Sequence, residues 1–324
     1  MLGLYLDGDA RIARDLPEPV RAPGEALVRV RVAGVCDTDL QLAKGYMAFR
    51  GVPGHEMVAE VLEADDARWV GKRVVADINA GCGTCADCTD RDGHHCSART
   101  VLGILGRPGA FAERATIPER CLVEVPDSLD DDRAVFAEPL AAALHVLDEI
   151  GGDTRARAIV LGDGKLGLLI GIALATSGVA TTVVGHHAPK LALARATGAE
   201  TFLEGELPAS ARGADVVVEA TGSERGLARA LELVRPRGTV VLKTTVAGAV
   251  SLDLAPVVIN ELRVVGSRCG DMARAVTALA SGRVDPRPLV AARYPLSEAD
   301  AALEHAGRRG ALKVLVDATS RPAS

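Results

Sequence analysis

Four of the seven cysteines fall together, as Cys82, Cys85, Cys88 and Cys96, with the spacing Cys-x2-Cys-x2-Cys-x7-Cys. Four thiolates so spaced can close a tetrahedral shell around zinc and leave no open position, which suits a structural ion rather than a catalytic one. Gly81, Gly83 and Gly93 supply the turns that the backbone needs around it. The segment is too polar to hold itself together by apolar burial, and metal binding adds on the order of 10 kcal/mol to the folding of such lobes. The alternative is a set of reduced, unligated thiols. A nucleic-acid-binding ribbon fits poorly, because Asp87, Asp90 and Asp92 flank the cysteines where basic residues are needed. The odd cysteine count argues against a disulfide framework. Asp7 and Asp9 interrupt the N-terminal apolar run, so no signal peptide is read there and the expected location is cytoplasmic.

Three further elements carry metal-ligating types: Cys36-Asp37-Thr38-Asp39, Gly54-His55-Glu56 and Glu138-Pro139-Leu140. Each is weak alone, since a lone Cys is usually a small buried hydrophobe. A glycine pattern, Gly162-Asp163-Gly164-Lys165-Leu166-Gly167, follows the apolar run Ala158–Leu161 and opens a helix-like stretch. That context is what a dinucleotide fingerprint requires: tight turn, close approach to pyrophosphate, helix-sheet packing. An NAD site carries an acid about 20 residues further on, against the ribose 2′-hydroxyl. Here the second strand ends at Val184-Gly185 without an acid, and His186, His187 and Lys190 follow. Basic groups can pair with a 2′-phosphate, which favours NADP over NAD, although the usual arginine partner is absent. The other reading of the two histidines is a solvated loop.

The elements that must position these residues differ along the chain. Residues 1–137 hold short β-type runs, such as Ala26–Val32, Met57–Leu62 and Arg73–Ala76, bounded by Gly, Pro or Asp. Over 138–266 helical patterns alternate with the apolar runs Ala158–Leu161, Thr181–Val184, Asp215–Val218, Thr239–Leu242 and Arg263–Val265. Such alternation predicts βαβ units and a parallel sheet. Residues 267–324 return to the first domain with a helix over Met272–Ser281, a strand over Lys313–Val316 and a frayed tail from Ala318. With aromatics at 2%, the core must be aliphatic, which suits buried parallel strands. A net charge of −6 opposes nucleic-acid binding. Leu166–Gly185 carries no charge and has the length of a membrane span, but Gly178 splits it into a helix-like and a β-branched half, so no membrane partner is expected.

Taken together, Gly34-Val-Cys36-Asp-Thr38-Asp39, Gly54-His55-Glu56, the four-cysteine lobe and the glycine fingerprint resemble the zinc-containing medium-chain dehydrogenase/reductase family along essentially the whole chain. The resemblance implies an α/β protein with a β-rich GroES-like catalytic domain (1–137 and 267–324) and a Rossmann doubly wound parallel-sheet domain (138–266). It implies catalytic zinc on Cys36, His55 and Glu138, beside the structural zinc of the lobe. Glu138 stands where the alcohol dehydrogenase branch has Cys, as in the polyol and sugar branch. Glu56 would be a neighbour able to exchange onto the metal; which glutamate holds the resting ion stays open. Asp39 would orient His55, and Thr38 would hydrogen-bond the substrate oxygen and pass its proton outward. Glu219 and Thr221 would lie beside the riboses, and Thr239–Thr245 would line the nicotinamide. The implied activity is hydride transfer between a nicotinamide cofactor and an alcohol or polyol, or the matching carbonyl. A biosynthetic carbonyl or imine reductase of the same family is the alternative. A non-catalytic nucleotide-binding relative would be marked by loss of the ligand triad, which is intact. A homodimer or homotetramer is implied. Tyr46, Met47 and Phe49 are placed to line a substrate pocket without naming the substrate. Cys121 and Cys269 read as buried thiols.

Overall fold

Strand Glu25–Gly34 alternates buried Ala26, Val28, Val30 and Val32 with less buried Leu27, Arg29 and Arg31, the period-two pattern of a strand with one face in a core. It is the spine of the first of two compact units in this computed structural model, which describes residues 1–244 and 251–319. That unit comprises Met1–Glu138 and the chain from Met272; the second is Pro139–Asp271. Thr245, expected beside the nicotinamide, and the tail beyond Thr319 lie outside the described residues.

The first unit's main sheet runs, in spatial order, Leu122–Glu124, Arg73–Ala76, Glu56–Glu63, Glu25–Gly34, Lys313–Asp317 and Val290–Pro295, with Arg114–Pro118 pairing the outer half of the spine. All pairs are antiparallel except Val290–Pro295 with Lys313–Asp317. The register sets Gly34 opposite both Glu56 and Leu315. The end of the spine, the start of the Glu56 strand and the start of the Lys313 strand therefore meet, although they are far apart in sequence. A separate three-stranded sheet, Asn79–Ala80, Thr100–Leu102 and Gly106–Arg107, carries the cysteine lobe with its short helix Ala86–Asp90.

The second unit is a six-stranded parallel sheet in the order Glu200–Leu203, Ala180–Gly185, Arg157–Leu161, Ala214–Glu219, Val234–Leu242 and Arg263–Gly266. Its core is aliphatic, with Ile159, Leu161, Val184, Val217, Leu233 and Val240 buried together. Each such side chain stabilises the fold by roughly 1.5–3 kcal/mol on burial. The chain reverses its direction of winding beside Arg157–Leu161, which makes a topological switch point against Ala214–Glu219. The uncharged run Leu166–Gly185 resolves into helix Lys165–Thr176 and strand Ala180–Gly185, both of them core elements. Among the described residues no helix is long and apolar enough to cross a membrane.

Candidate metal centres and dinucleotide site

Cys36 immediately precedes helix Asp37–Ala43, and fully buried Asp39 ties it to the next ligand-bearing segment. Asp39 Oδ2 accepts from the Cys36 amide at 2.8 Å, and Oδ1 accepts from the Gly54 amide at 3.1 Å. One carboxylate thus fastens the Cys36 loop to the Gly54-His55 turn. Asp39 Oδ1 also lies 3.4 Å from His55 Nδ1, close enough for an ion pair but without hydrogen-bond direction, and this buried nitrogen has no hydrogen-bond partner. Cys36 Sγ, a His55 ring nitrogen and a Glu56 carboxylate oxygen all lie within 4.8 Å of one another. Thr38 Oγ1 is 3.9 Å from Cys36 Sγ.

Glu138 is not part of that closest trio. It stands at the start of helix Ala137–Glu149, near enough to feel the charges of His55, Glu56 and Lys313. Burial pushes its carboxyl up to about 7, with Glu56 adding to the rise and His55 opposing it. Burial works against a charged His55, yet Asp39 and Cys36 outweigh it and hold the imidazole well above its ordinary range. Burial is the chief cause of the first shift, and the attraction of Asp39 and Cys36 is the cause of the second. A thiol, an imidazole and carboxylates in a pocket that draws positive charge are a donor set that fits zinc.

One residue at this centre was not legible as functional. Lys313, read only as the first residue of a strand, is 2% exposed and is ion-paired with Glu56 Oε2. Gly34 leaves room for that pair, since a Cβ there would overlap Glu56 Oε2. The one available signal was a lysine opening an apolar run, because a buried lysine requires a partner.

In the lobe, Cys82 Sγ lies 3.9 Å and Cys85 Sγ 3.6 Å from Cys88 Sγ. Cys96 completes a group whose sulfurs are all within 4.8 Å. Tetrahedral zinc with bonds of about 2.3 Å sets its sulfurs about 3.8 Å apart, so the sulfurs present fit that ion. The Thr84 hydroxyl, with the Thr84 and Cys85 amides, pulls Cys82 down to about 5. Cys121 is buried and pushed up to about 11, chiefly by burial. Cys269 is only partly buried, which departs from the expected buried thiol.

The glycine fingerprint lies at the C-terminal ends of the parallel strands, beside the switch point. Gly164 precedes helix Lys165–Thr176, which has no acidic residue in its first turn. Gly167 packs against the Gly162 carbonyl so closely that a Cβ would overlap it. Lys165 is buried and Leu166 partly so. Strand Ala180–Gly185 ends without an acid of its own, and the carboxylate nearest its end comes from the fingerprint turn. Asp163 Oδ2 reaches that strand's end, accepting from the His186 and His187 amides at 2.8 and 2.7 Å and lying 2.9 Å from His187 Nδ1. The fingerprint turn and this strand end are neighbours only through the pairing of Arg157–Leu161 with Ala180–Gly185. His186 is exposed; His187 and Lys190 are partly buried at the start of helix Ala188–Arg195. Thr221 donates to Glu219 Oε1 at 2.6 Å, and Thr244 donates to the same oxygen at 3.0 Å. Glu219 therefore laces two strand ends together.

Met47 and Phe49 line a cavity of about 350 Å³ with Arg50, Ile104, Leu105 and Pro108, whereas Tyr46 is not part of its wall. Cys36, His55, Glu56 and Glu138 do not line it either.

Residues 22–127 match the alcohol dehydrogenase GroES-like domain, and residues 166–281 match the zinc-binding dehydrogenase domain. The chain is 32% identical to D-altritol 5-dehydrogenase of Agrobacterium fabrum, over 91% of this chain and 92% of that one. The chain belongs to the zinc-type medium-chain dehydrogenase family. It is likewise 31% identical to erythritol/L-threitol dehydrogenase of Mycolicibacterium smegmatis, over 86% of each. Among solved structures, a protein described as a zinc-binding dehydrogenase from Sinorhizobium meliloti, bound to NADP, superposes with a TM-score of 0.87 at 29% identity, covering 98% of each chain. Alcohol dehydrogenase TADH from Thermus sp. gives 0.86 at 29% identity, covering 98% of this chain and 99% of that one. This dehydrogenase is therefore an oxidoreductase that uses a nicotinamide cofactor to interconvert an alcohol and its carbonyl. The expected family and its pairing of GroES-like and Rossmann domains hold.

Proposed function

We propose that this dehydrogenase oxidises a secondary hydroxyl of a polyol, or reduces the matching ketone, at a zinc centre made by Cys36, His55 and Glu138. The observation that carries this reading is the convergence of Cys36, His55 and Glu56 within 4.8 Å in a buried, acid-rich pocket beside Glu138. The names of the two polyol dehydrogenase relatives support the substrate class. When bound, zinc supplies Lewis-acid stabilisation of negative charge on the substrate oxygen. A thiolate and one carboxylate balance a divalent ion, with His55 neutral. Asp39 holds the Cys36 and His55 segments in register, and Thr38, beside Cys36, receives the substrate's hydroxyl proton and passes it outward. A nicotinamide cofactor, held at the Gly162–Gly167 turn, would supply the two-electron acceptor for the substrate's hydride.

The reading places a second, structural zinc on Cys82, Cys85, Cys88 and Cys96, and a reducing compartment such as the cytoplasm suits four free thiols. The catalytic domain is assigned to the first unit and dinucleotide binding to the second. There Gly162, Gly164, Lys165, Leu166 and Gly167 take the pyrophosphate at a helix start, and Thr221 lies beside a ribose. NADP is favoured over NAD because His186 and Lys190 are available to a 2′-phosphate while His187 and two amides offset the charge of Asp163. Edge strand Arg263–Gly266 with exposed Val258, Ile259 and Val264 suits a second copy of the chain, in a homodimer or homotetramer. The test is NADP+ reduction with erythritol, threitol and altritol, for wild type and Cys36→Ser. Polyol-dependent turnover by wild type, lost in the variant, supports the reading; equal turnover by both proteins contradicts it.

A further inference from the structure

Lys313 is the group at the candidate metal centre that the proposed chemistry leaves without a role. Its ammonium donates to Glu56 Oε2 and, at 3.4 Å, to the Val35 carbonyl, and it lies 5.8 Å over the Phe136 ring. Both members of the pair are buried, Lys313 at 2% and Glu56 at 1% exposure. Three segments build the arrangement. Val35 belongs to the loop that carries Cys36, Phe136 leads into Glu138, and Gly34 stands opposite Glu56 in the sheet with no side chain to block its carboxylate. Lys313 thus touches the segment of every proposed ligand while offering the ion nothing itself.

Glu56 has the reach of a ligand, since one of its oxygens is within 4.8 Å of donor atoms of Cys36 and His55. A divalent ion with Cys36 thiolate, Glu138 carboxylate and neutral His55 is already balanced, and Glu56 makes the centre negative. The ammonium restores neutrality and occupies one carboxylate oxygen. We propose that Lys313 is a positioning residue: it pins Glu56 beside the metal, cancels its charge and keeps it out of the shell, so that the open position is left to substrate. This inference rests on the metal reading of Cys36, His55 and Glu138. Replacing a buried pair by an apolar pair is often tolerated, whereas removing one member leaves a buried charge that must find a new partner. In Lys313→Met that partner is the metal.

The experiment loads cobalt(II) into the chelator-labile site of the purified protein and reads its visible d–d bands, chelator release and steady-state kinetics. In Lys313→Met the bands weaken as a fifth ligand enters and release slows. kcat falls about 10- to 100-fold while KM moves less, the scale seen when a partner outside the ligand shell is removed. Lys313→Arg keeps the wild-type spectrum. Lys313→Met/Glu56→Gln, which removes both charges, returns the four-coordinate spectrum and most of kcat. A wild-type spectrum in Lys313→Met, or a double variant no better than the single one, overturns the inference while leaving the metal reading intact. If Lys313→Met does not fold, Glu56→Gln carries the test: it leaves an unbalanced ammonium facing the ion, and release quickens about tenfold. Unchanged release overturns the inference. Wild-type protein that takes up no cobalt outside the cysteine lobe overturns the metal reading and this inference with it.

Discussion

Asp163 of the glycine-rich turn is paired with His187 of the next strand's end, Oδ2 to Nδ1 at 2.9 Å, and the same oxygen accepts two backbone amides. Gly185 allows this approach, since a Cβ there would stand 2.5 Å from Asp163 Cβ. Burial opposes the charge of Asp163, but His187 and the amides outweigh it and hold the carboxyl below its ordinary range. A group lowered on folding contributes stability above its unfolded pKa and loses it as pH falls through the folded value. Asp163→Asn should therefore cost about 1–3 kcal/mol at neutral pH, with the difference from wild type shrinking under acid. Denaturant melts at neutral and acidic pH check this, and a pH-independent difference contradicts it.

The same geometry bears on cofactor choice. His186→Ala/Lys190→Ala should weaken NADPH binding about tenfold or more and leave NADH within about threefold, since only the former carries a 2′-phosphate for these groups to meet. Fluorescence titration with each nucleotide reads this directly. An equal loss for both would show that these side chains do not meet the phosphate.

At the metal centre, Gly34→Ala forces a methyl group into the space of Glu56 Oε2. Overpacking of this kind costs about 1–3 kcal/mol. The damage should extend beyond stability, because the displaced carboxylate belongs to the Lys313 pair. Thermal melting and metal content measured on one sample check both parts; a stable variant with wild-type metal content would refute the close packing.

Thiol chemistry separates the lobe from the core. After chelation, Cys82 should alkylate first at neutral pH, because its hydrogen-bond donors favour the thiolate, whereas buried Cys121, pushed up to about 11, should stay unmodified until the protein unfolds. Peptide mapping after a short iodoacetamide pulse gives the order. Early labelling of Cys121 would contradict its burial.

What was legible in the sequence follows the distance over which each arrangement is built. The cysteine lobe is local, and its spacing alone announced four convergent sulfurs. The glycine turn was equally local, between a strand and a helix that its own sequence specifies. Asp163 was visible as a residue but not as the acid at the end of strand Ala180–Gly185, because only the parallel pairing of Arg157–Leu161 with Ala180–Gly185 brings them together. Lys313 was harder still. Its partner lies 257 residues away and meets it through the register of three strands, which no window of sequence displays. The resemblance named Glu138 as a ligand, whereas the tightest trio in the structure contains Glu56 instead. That local contest between two glutamates depends on a counter-ion, so motif spacing could not resolve it.

The most direct test of the whole account is zinc content per chain in wild type and in Cys36→Ser/His55→Ala, measured on folded, gel-filtered protein. The account predicts about two zinc ions in wild type and about one in the variant, with the cysteine lobe keeping its ion. About one in both proteins would mean that Cys36 and His55 hold no metal, and the catalytic reading would fall.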